Sequence, residues 1–113
     1  MKLASVGLDV TEISRFRSLL RKKQERFLQN TFSERERAFC FSYRDPAPHF
    51  AGTFAAKESV QKTLSKPLPM QLIEIRRQKN GKPEVWLSGR KSRTISLSIT
   101  HSDTVACAVA IRQ

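Results

Sequence analysis

The chain has 113 residues, the length of one ordinary domain, and 39% of them are hydrophobic, which is enough for a packed core. With 27% charged residues, four glycines and five prolines, the composition excludes a disordered chain. The net charge of +11 predicts a polyanionic partner, which could be a nucleic acid, an acidic protein, a phosphorylated ligand or an anionic membrane.

Targeting and redox signals are sparse. No apolar run is long enough to span a bilayer, and the residues from Met1 to Ser5 lack the apolar stretch of a signal peptide. Cys40 and Cys107 are too few for a disulfide framework or a metal knuckle. We therefore expect a cytoplasmic protein with two buried thiols.

The first part of the chain combines a strand with two helices. A strand is predicted from Lys2 to Val10, and a helix follows from about Glu12 to Lys22. Apolar residues recur at spacings of three and four in that helix, which indicates one buried face and a basic remainder. A short helix is predicted over residues 24–30.

Two further helices are predicted in the middle of the chain. Ser33 and Glu36 form a capping-box pattern, so a helix should begin at Ser33 and run to about Tyr43. The proline-containing segment 45–48 should end that helix. Residues 49–64 again have helical periodicity.

The remainder of the chain predicts strands. Residues 72–78 and 84–87 flank a hairpin turn at Asn80-Gly81. Residues 94–100 alternate strictly between apolar and hydroxyl side chains, and residues 104–111 form a closing strand. The order of a strand, helices and an antiparallel meander predicts a single α+β domain over residues 1–113.

Several polar residues have both a structural and a functional interpretation. Asp9 and Glu58 could hold Mg²⁺ with ligand phosphates, but Asp9 could also cap a helix and Glu58 could pair with Lys62 on the surface. Lys57 and Lys62 could be solvated or could face a phosphate. His101 is by pattern a turn or core residue. Spacing alone favours the structural interpretation for these residues.

Five segments in order give the chain a family resemblance. Residues 7–15 are similar to a G-x-D-x-x-E-I-x-R motif, residues 54–62 to F-x-x-K-E-x-x-x-K, and residues 96–102 to a late S-x-S-H segment. Residues 32–36 and 81–83 fall where F-T-x-x-E and G-K-P are expected. Over almost its whole length, the chain thus resembles the small bacterial holo-acyl-carrier-protein synthases, the short class of phosphopantetheinyl transferases.

The resemblance implies a reaction and an assembly. Such an enzyme transfers the 4′-phosphopantetheine group from coenzyme A to a serine of an acidic apo acyl carrier protein, yields adenosine 3′,5′-bisphosphate, and supports fatty acid biosynthesis. The reaction depends on Mg²⁺, which neutralises the pyrophosphate. The family forms homotrimers with active sites between subunits. Neither nucleic acid nor a membrane span is expected.

The resemblance also implies roles for particular residues. Asp9 and Glu58 would be Mg²⁺ ligands and, with Lys62, catalytic residues. Either a carboxylate or a metal-bound water would accept the serine proton, and Glu58 is the favoured residue. The residues expected to bind coenzyme A are Lys57, Lys62, Gly81, Lys82, Pro83 and His101.

The first helix would dock the carrier protein. Its basic residues are Arg15, Arg17, Arg21 and Lys22, and Arg15 is the strongest candidate because it belongs to the first motif. Charges of this kind mainly accelerate the encounter of the two proteins, and their effect weakens with added salt.

Two positions depart from the family pattern. Thr53 stands where arginine is frequent, so one contact to a coenzyme A phosphate is lost or replaced. Thr100 stands where serine is usual.

Two other functions compete with this interpretation. A nucleic-acid-binding module would explain the charge, but it would have aromatic platforms on exposed strands, whereas most phenylalanines here lie in the helical half. A non-catalytic relative could dock carrier proteins without modifying them. Retention of Asp9, Glu58 and Lys62 argues against the second alternative.

Overall fold

The computed structural model describes residues 3–113, so Lys2, the predicted start of the first strand, lies outside the described residues. The elements confirm the predicted α+β class. In chain order they are β1 (Ser5–Glu12), α1 (Ile13–Arg21), α2 (Glu25–Thr31), α3 (Glu34–Phe41), α4 (Ala47–Gln61), a 3₁₀ turn (Met70–Leu72), β2 (Ile73–Arg77), β3 (Pro83–Leu87), β4 (Arg90–Lys91), β5 (Ile95–His101) and β6 (Val105–Arg112).

The strands form two antiparallel sheets. In the first sheet the order is β1-β6-β5, with Leu8 opposite Val109 and Ser98 on the other side of Val109. The second sheet has the order β2-β3-β4. The predicted strands are present, but they divide between the two sheets, and β4 occupies a segment that the sequence predicts as a turn. The chain leaves one sheet and enters the other between β4 and β5.

Helix α4 is the centre of the molecule. It is buried along most of its length, and small residues such as Ala51, Ala55 and Ala56 let it lie close to the inner face of the first sheet. The helix begins at Ala47, earlier than predicted, because Pro48 lies in the first turn, where its missing N–H is not needed. No helix in the described part of the chain is long and apolar enough to cross a membrane.

Helix α3 shows the predicted capping box. The Ser33 side chain accepts the Glu36 N–H at 3.2 Å, and the Glu36 carboxylate accepts the Ser33 N–H at 2.9 Å. Both N–H groups would otherwise lack a partner at the helix start. Glu36 is itself 1% exposed, so this cap lies inside the protein rather than on its surface.

A cluster of phenylalanines fixes α1 against α4. The Phe16 ring lies 6.3 Å from Phe50, 6.0 Å from Phe32 and 5.5 Å from Phe54, measured between ring centroids. Phe16, Phe32 and Phe50 are fully buried. The basic face of α1 is thereby held outward beside the end of β1.

Candidate active site

A cleft of about 500 Å³ lies where the end of β1 passes α4. Its acidic residues come from both elements, Asp9 and Glu12 from the strand and Glu58 from the helix. Arg15 and Phe54 form part of its wall. The structure therefore brings together the two carboxylates that the resemblance assigns to one metal.

Gly7 explains why the strand and the helix come so close. A Cβ atom at this position would lie 1.8 Å from the backbone oxygen of Ser59 on α4. Because that contact is with backbone, a larger residue would force β1 away from α4. The glycine two residues before Asp9 is thus needed to bring Asp9 to Glu58, whose chain neighbour is Ser59.

Asp9 is held by two groups. The Thr11 hydroxyl donates to its carboxylate at 2.8 Å, and the Lys62 ammonium nitrogen lies 3.7 Å from its other oxygen. Lys62 also donates to the Leu8 carbonyl at 2.7 Å, so the end of α4 is tied to β1. These contacts orient Asp9 and place a cation at the edge of the cleft.

The donor set suits Mg²⁺. This ion takes one or two carboxylates, completes its octahedron with phosphate oxygens and waters, and does not need an all-protein cage. Within residues 3–113 no three histidine, cysteine, aspartate or glutamate side chains are arranged so that they could hold a metal ion by themselves. Asp9 and Glu58 therefore fit a magnesium ion whose other coordination positions are filled by phosphate oxygens and waters.

Lys57 does not face a phosphate. Its side chain is 0% exposed, and its ammonium group donates to the Glu36 carboxylate at 2.6 Å and to the Ile73 carbonyl at 2.5 Å. The Ile75 N–H donates to the same carboxylate at 2.7 Å. The expectation that Lys57 binds coenzyme A is corrected: its charge is used to join α4 to α3 and β2.

Burial acts on both members of this ion pair. Loss of water raises the pKa of Glu36 and lowers that of Lys57, and their mutual attraction partly offsets each shift. Each group therefore depends on the other to remain charged inside the protein.

The four predicted docking residues differ in their surroundings. All are exposed, but Arg17 forms a two-bond ion pair with Asp45, at 2.8 and 2.9 Å. The Arg15 guanidinium lies 4.9 Å from the centroid of the Phe54 ring at the cleft. Arg21 and Lys22 end α1 at the surface. Arg15 is the one that adjoins the carboxylates.

The predicted nucleotide-binding residues lie in two places. Gly81 and His101 line a groove of about 430 Å³, whereas Lys82 and Pro83 line a separate cleft of about 200 Å³. Gly81 has φ of +87°, which favours glycine, and this is the reason for the Asn-Gly turn.

The groove also contains residues that the sequence analysis did not assign. Tyr43, His49 and Arg77 line it together with Gly81 and His101. A role for His49 could have been inferred in part from the sequence. It lies one helical turn before Thr53, the position that departs from the family pattern. Nothing in the local sequence indicated that Arg77, on β2, would meet His49.

An α+β domain with Asp9 and Glu58 in one open cleft, and Lys62 beside Asp9, has the donor set of metal-assisted phosphoryl transfer. The chain belongs to the 4′-phosphopantetheinyl transferase superfamily, whose family model matches residues 5–110. The resemblance found from the sequence motifs is thereby confirmed.

Relatives and solved structures are similar over nearly the whole chain. The chain is 40% identical to the holo-[acyl-carrier-protein] synthase of Caldanaerobacter subterraneus subsp. tengcongensis, covering 94% of this chain and 91% of the relative. It is 38% identical to that of Chlamydia caviae, covering 98% of each. The fold matches the Helicobacter pylori synthase in complex with coenzyme A with a TM-score of 0.81 and 25% identity, covering 96% of this chain and 99% of that one. It matches the Bacillus anthracis synthase in complex with CoA (3′,5′-ADP) with a TM-score of 0.80 and 26% identity, covering 96% and 94%.

Proposed function

We propose that this protein is a magnesium-dependent holo-acyl-carrier-protein synthase that transfers 4′-phosphopantetheine from coenzyme A to a serine of an apo acyl carrier protein and so supports fatty acid biosynthesis. The observation that carries the proposal is the joint placement of Asp9 and Glu58 in one cleft, in a chain of this superfamily. Relatives with the synthase name and neighbours with bound coenzyme A support it.

The reaction is a phosphoryl-group transfer with a simple balance. The serine oxygen forms a bond to the phosphorus that carries the pantetheine arm, and the bond from that phosphorus to the bridging oxygen breaks, which releases adenosine 3′,5′-bisphosphate. The serine proton passes to Glu58, directly or through a water. Asp9 and Glu58 would hold Mg²⁺, which would supply positive charge against the pyrophosphate.

The other residues of the cleft position the reactants. Lys62 would lie beside the phosphates as a point charge while it stays tied to the Leu8 carbonyl. Phe54 supplies an apolar wall that excludes water from part of the cleft. Holding both reactants in line is worth several orders of magnitude in rate for a reaction of this kind.

A homotrimer with sites between subunits is the assembly that we propose. The outer face of the first sheet is apolar and uncovered: Val6, Leu8 and Val10 are 62%, 56% and 60% exposed, and Ile111 on β6 is 40% exposed. Contiguous exposed apolar patches mark interaction surfaces. Because Val10 belongs to this face and also lines the cleft, a second copy covering the face would also border the cleft. Sedimentation equilibrium of the purified chain tests this assembly.

The direct test of the reaction is incubation with coenzyme A, Mg²⁺ and an apo acyl carrier protein, followed by intact mass measurement of the carrier protein. A mass increase equal to one phosphopantetheine group, dependent on added Mg²⁺, is the expected result. A carrier protein whose serine is replaced by alanine should gain no mass. Absence of any mass increase at all Mg²⁺ concentrations would refute the proposed function.

Substitution of Arg15 by glutamate should weaken docking of the acidic carrier protein. Arg15 is exposed and adjoins the cleft, so charge reversal places a repulsive group where the carrier serine must arrive. We expect KM for the carrier protein to rise roughly tenfold or more, while KM for coenzyme A changes little. Steady-state kinetics with each substrate varied in turn measure both values.

Arg26→Glu on α2 is the matched control, because it reverses an exposed arginine outside the cleft. Equal increases in the two KM values for Arg15→Glu would argue against a docking role. The effect should also shrink with added salt, since exposed charges are screened over about 10 Å at 0.1 M ionic strength.

A further inference from the structure

The groove at the start of α4 has the chemistry of an anionic, aromatic-bearing ligand. The His49 ring stacks on Tyr43 with centroids 3.5 Å apart, and the two planes differ by 15°. Phe39 contacts both rings edge-on. Arg77 and Lys79 bring positive charge, and of the residues that the structure describes none of those lining the groove is acidic. An aromatic wall with convergent cations is typical of nucleotide sites.

Arg77 is a half-buried cation that lacks a protein anion. Its guanidinium lies 5.0 Å from the centroid of the Phe39 ring, and within residues 3–113 no carboxylate oxygen lies within 4.0 Å of it. Partial burial lowers the pKa of Arg77, although the group stays charged at neutral pH. Desolvated charges are normally paired, so this one favours an anionic ligand.

Thr53 does not supply an anion contact in this chain. It is 2% exposed, and its hydroxyl lies 3.7 Å from the Cys40 sulfur in the protein interior. His49 lies one turn earlier on the same face of α4 and reaches the groove. The available cation on this side of α4 is therefore a histidine, which can change its charge, and not a residue with a fixed charge.

We propose that His49 and Arg77 bind the 3′-phosphate of coenzyme A, and that protonation of His49 determines how strongly the protein prefers coenzyme A to its 3′-dephospho form. The proposal rests on the proposed function for the identity of the ligand. A phosphate monoester is the fitting group because it carries nearly two negative charges and three acceptor oxygens. Arg77 provides the constant attraction, and His49 provides the part that varies with pH.

The protein surroundings of His49 disfavour its charged form. Burial, His101 and Arg77 lower its pKa below 6.5, and Asp45 acts weakly in the opposite sense. The His101 ring centroid is 6.4 Å away, and Asp45 is already engaged by Arg17. The charged or titratable groups that face His49 are Tyr43 and Asp45 from the segment before α4, Arg77 and Lys79 from the end of β2, and His101 from β5.

The sign of the pH effect follows from proton uptake. A phosphate dianion beside His49 would raise its pKa, so binding takes up a proton and strengthens as pH falls from about 8 through the ordinary histidine range. The phosphate's own second pKa, near 6, acts in the opposite direction. His49→Phe keeps an aromatic ring that can stack on Tyr43 and removes the contribution of His49 to this proton uptake.

The experiment measures the affinity of the full-length protein for adenosine 3′,5′-bisphosphate and for adenosine 5′-monophosphate by calorimetry between about pH 5.5 and about pH 8. The ratio of the two affinities reports on the 3′-phosphate alone. We expect the wild-type ratio to rise as pH falls toward about 6.5, and His49→Phe to abolish the rise. Arg77→Gln should lower the ratio roughly tenfold or more at every pH, while Arg77→Lys retains most of it.

Arg90→Gln is the control, because it removes an exposed arginine of β4 outside the groove, and it should leave the ratio unchanged. A wild-type ratio near one at every pH would overturn the proposal, as would an equal loss of both affinities in Arg77→Gln. If that variant does not fold by circular dichroism, the His49→Phe profile decides. If carrier protein is never modified but the ratio behaves as described, the proposed function fails and this binding site stands.

Discussion

Replacement of Asp9 by asparagine, or of Glu58 by glutamine, should lower the rate of phosphopantetheine transfer by about a thousandfold while the fold remains intact. Each amide keeps the shape of the side chain but removes a negative charge that Mg²⁺ requires. A bound metal contributes several kcal/mol to transition-state charge stabilisation, and loss of roughly 4 kcal/mol corresponds to about three factors of ten. Initial rates with coenzyme A and apo carrier protein at rising Mg²⁺ concentrations measure the effect.

The Mg²⁺ dependence separates loss of the metal from loss of the fold. Both variants should need more Mg²⁺ for half-maximal rate, and their unfolding midpoints in urea should stay close to that of the wild-type chain. Glu34→Gln serves as the control, because Glu34 is an exposed acid in the first turn of α3 outside the cleft. Full activity in either Asp9→Asn or Glu58→Gln would remove the basis for the metal assignment.

Apart from β4, the helices and strands follow from local sequence patterns. Alternation over residues 94–100 predicted β5, and the Ser33–Glu36 pair predicted the start of α3. The division into two sheets did not follow, because pairing of β1 with β6 depends on contacts between opposite ends of the chain. A two-residue strand such as β4 has too few residues for any periodicity to be visible.

Proximity of Asp9 and Glu58 could not be derived from spacing. The two residues are far apart in sequence, and the contact between their elements depends on the absence of a side chain at Gly7, opposite the Ser59 carbonyl. Local patterns predicted only that Asp9 caps a helix and that Glu58 forms a surface pair with Lys62. The family resemblance predicted the shared cleft, and the packing of β1 on α4 gives its physical reason.

The position of Lys57 in the sequence already indicates that it is buried. Lys57 lies three residues after Phe54 and three before Val60, so it falls on the apolar stripe of α4 and not beside it. A lysine at such a position requires a buried anion. Glu36 meets this need because the capping box already turns its carboxylate inward.

Replacement of Lys57 by methionine should destabilise the protein by about 3–5 kcal/mol, because it leaves Glu36 buried without its cation. Urea unfolding at neutral pH measures this loss. Lys66→Met, on the exposed segment after α4, is the control and should change stability by less than about 0.5 kcal/mol. The double variant Glu36→Gln/Lys57→Met should recover much of the loss, since it removes both charges together.

The destabilisation by Lys57→Met should also depend on pH in a defined direction. The folded-state pKa of Glu36 lies above its ordinary value of 4.5 because of burial, and removal of Lys57 raises it further. Below 4.5 the carboxyl is neutral in both the folded and unfolded chains, so the gap between variant and wild type is smallest there. As pH rises from 4.5 toward the raised folded-state pKa of the variant, the unfolded chain releases the proton while the folded chain retains it, so the gap widens. Above that pKa the gap becomes constant. A gap that stays constant from acid to neutral pH would show that lost packing, and not the buried charge of Glu36, causes the destabilisation.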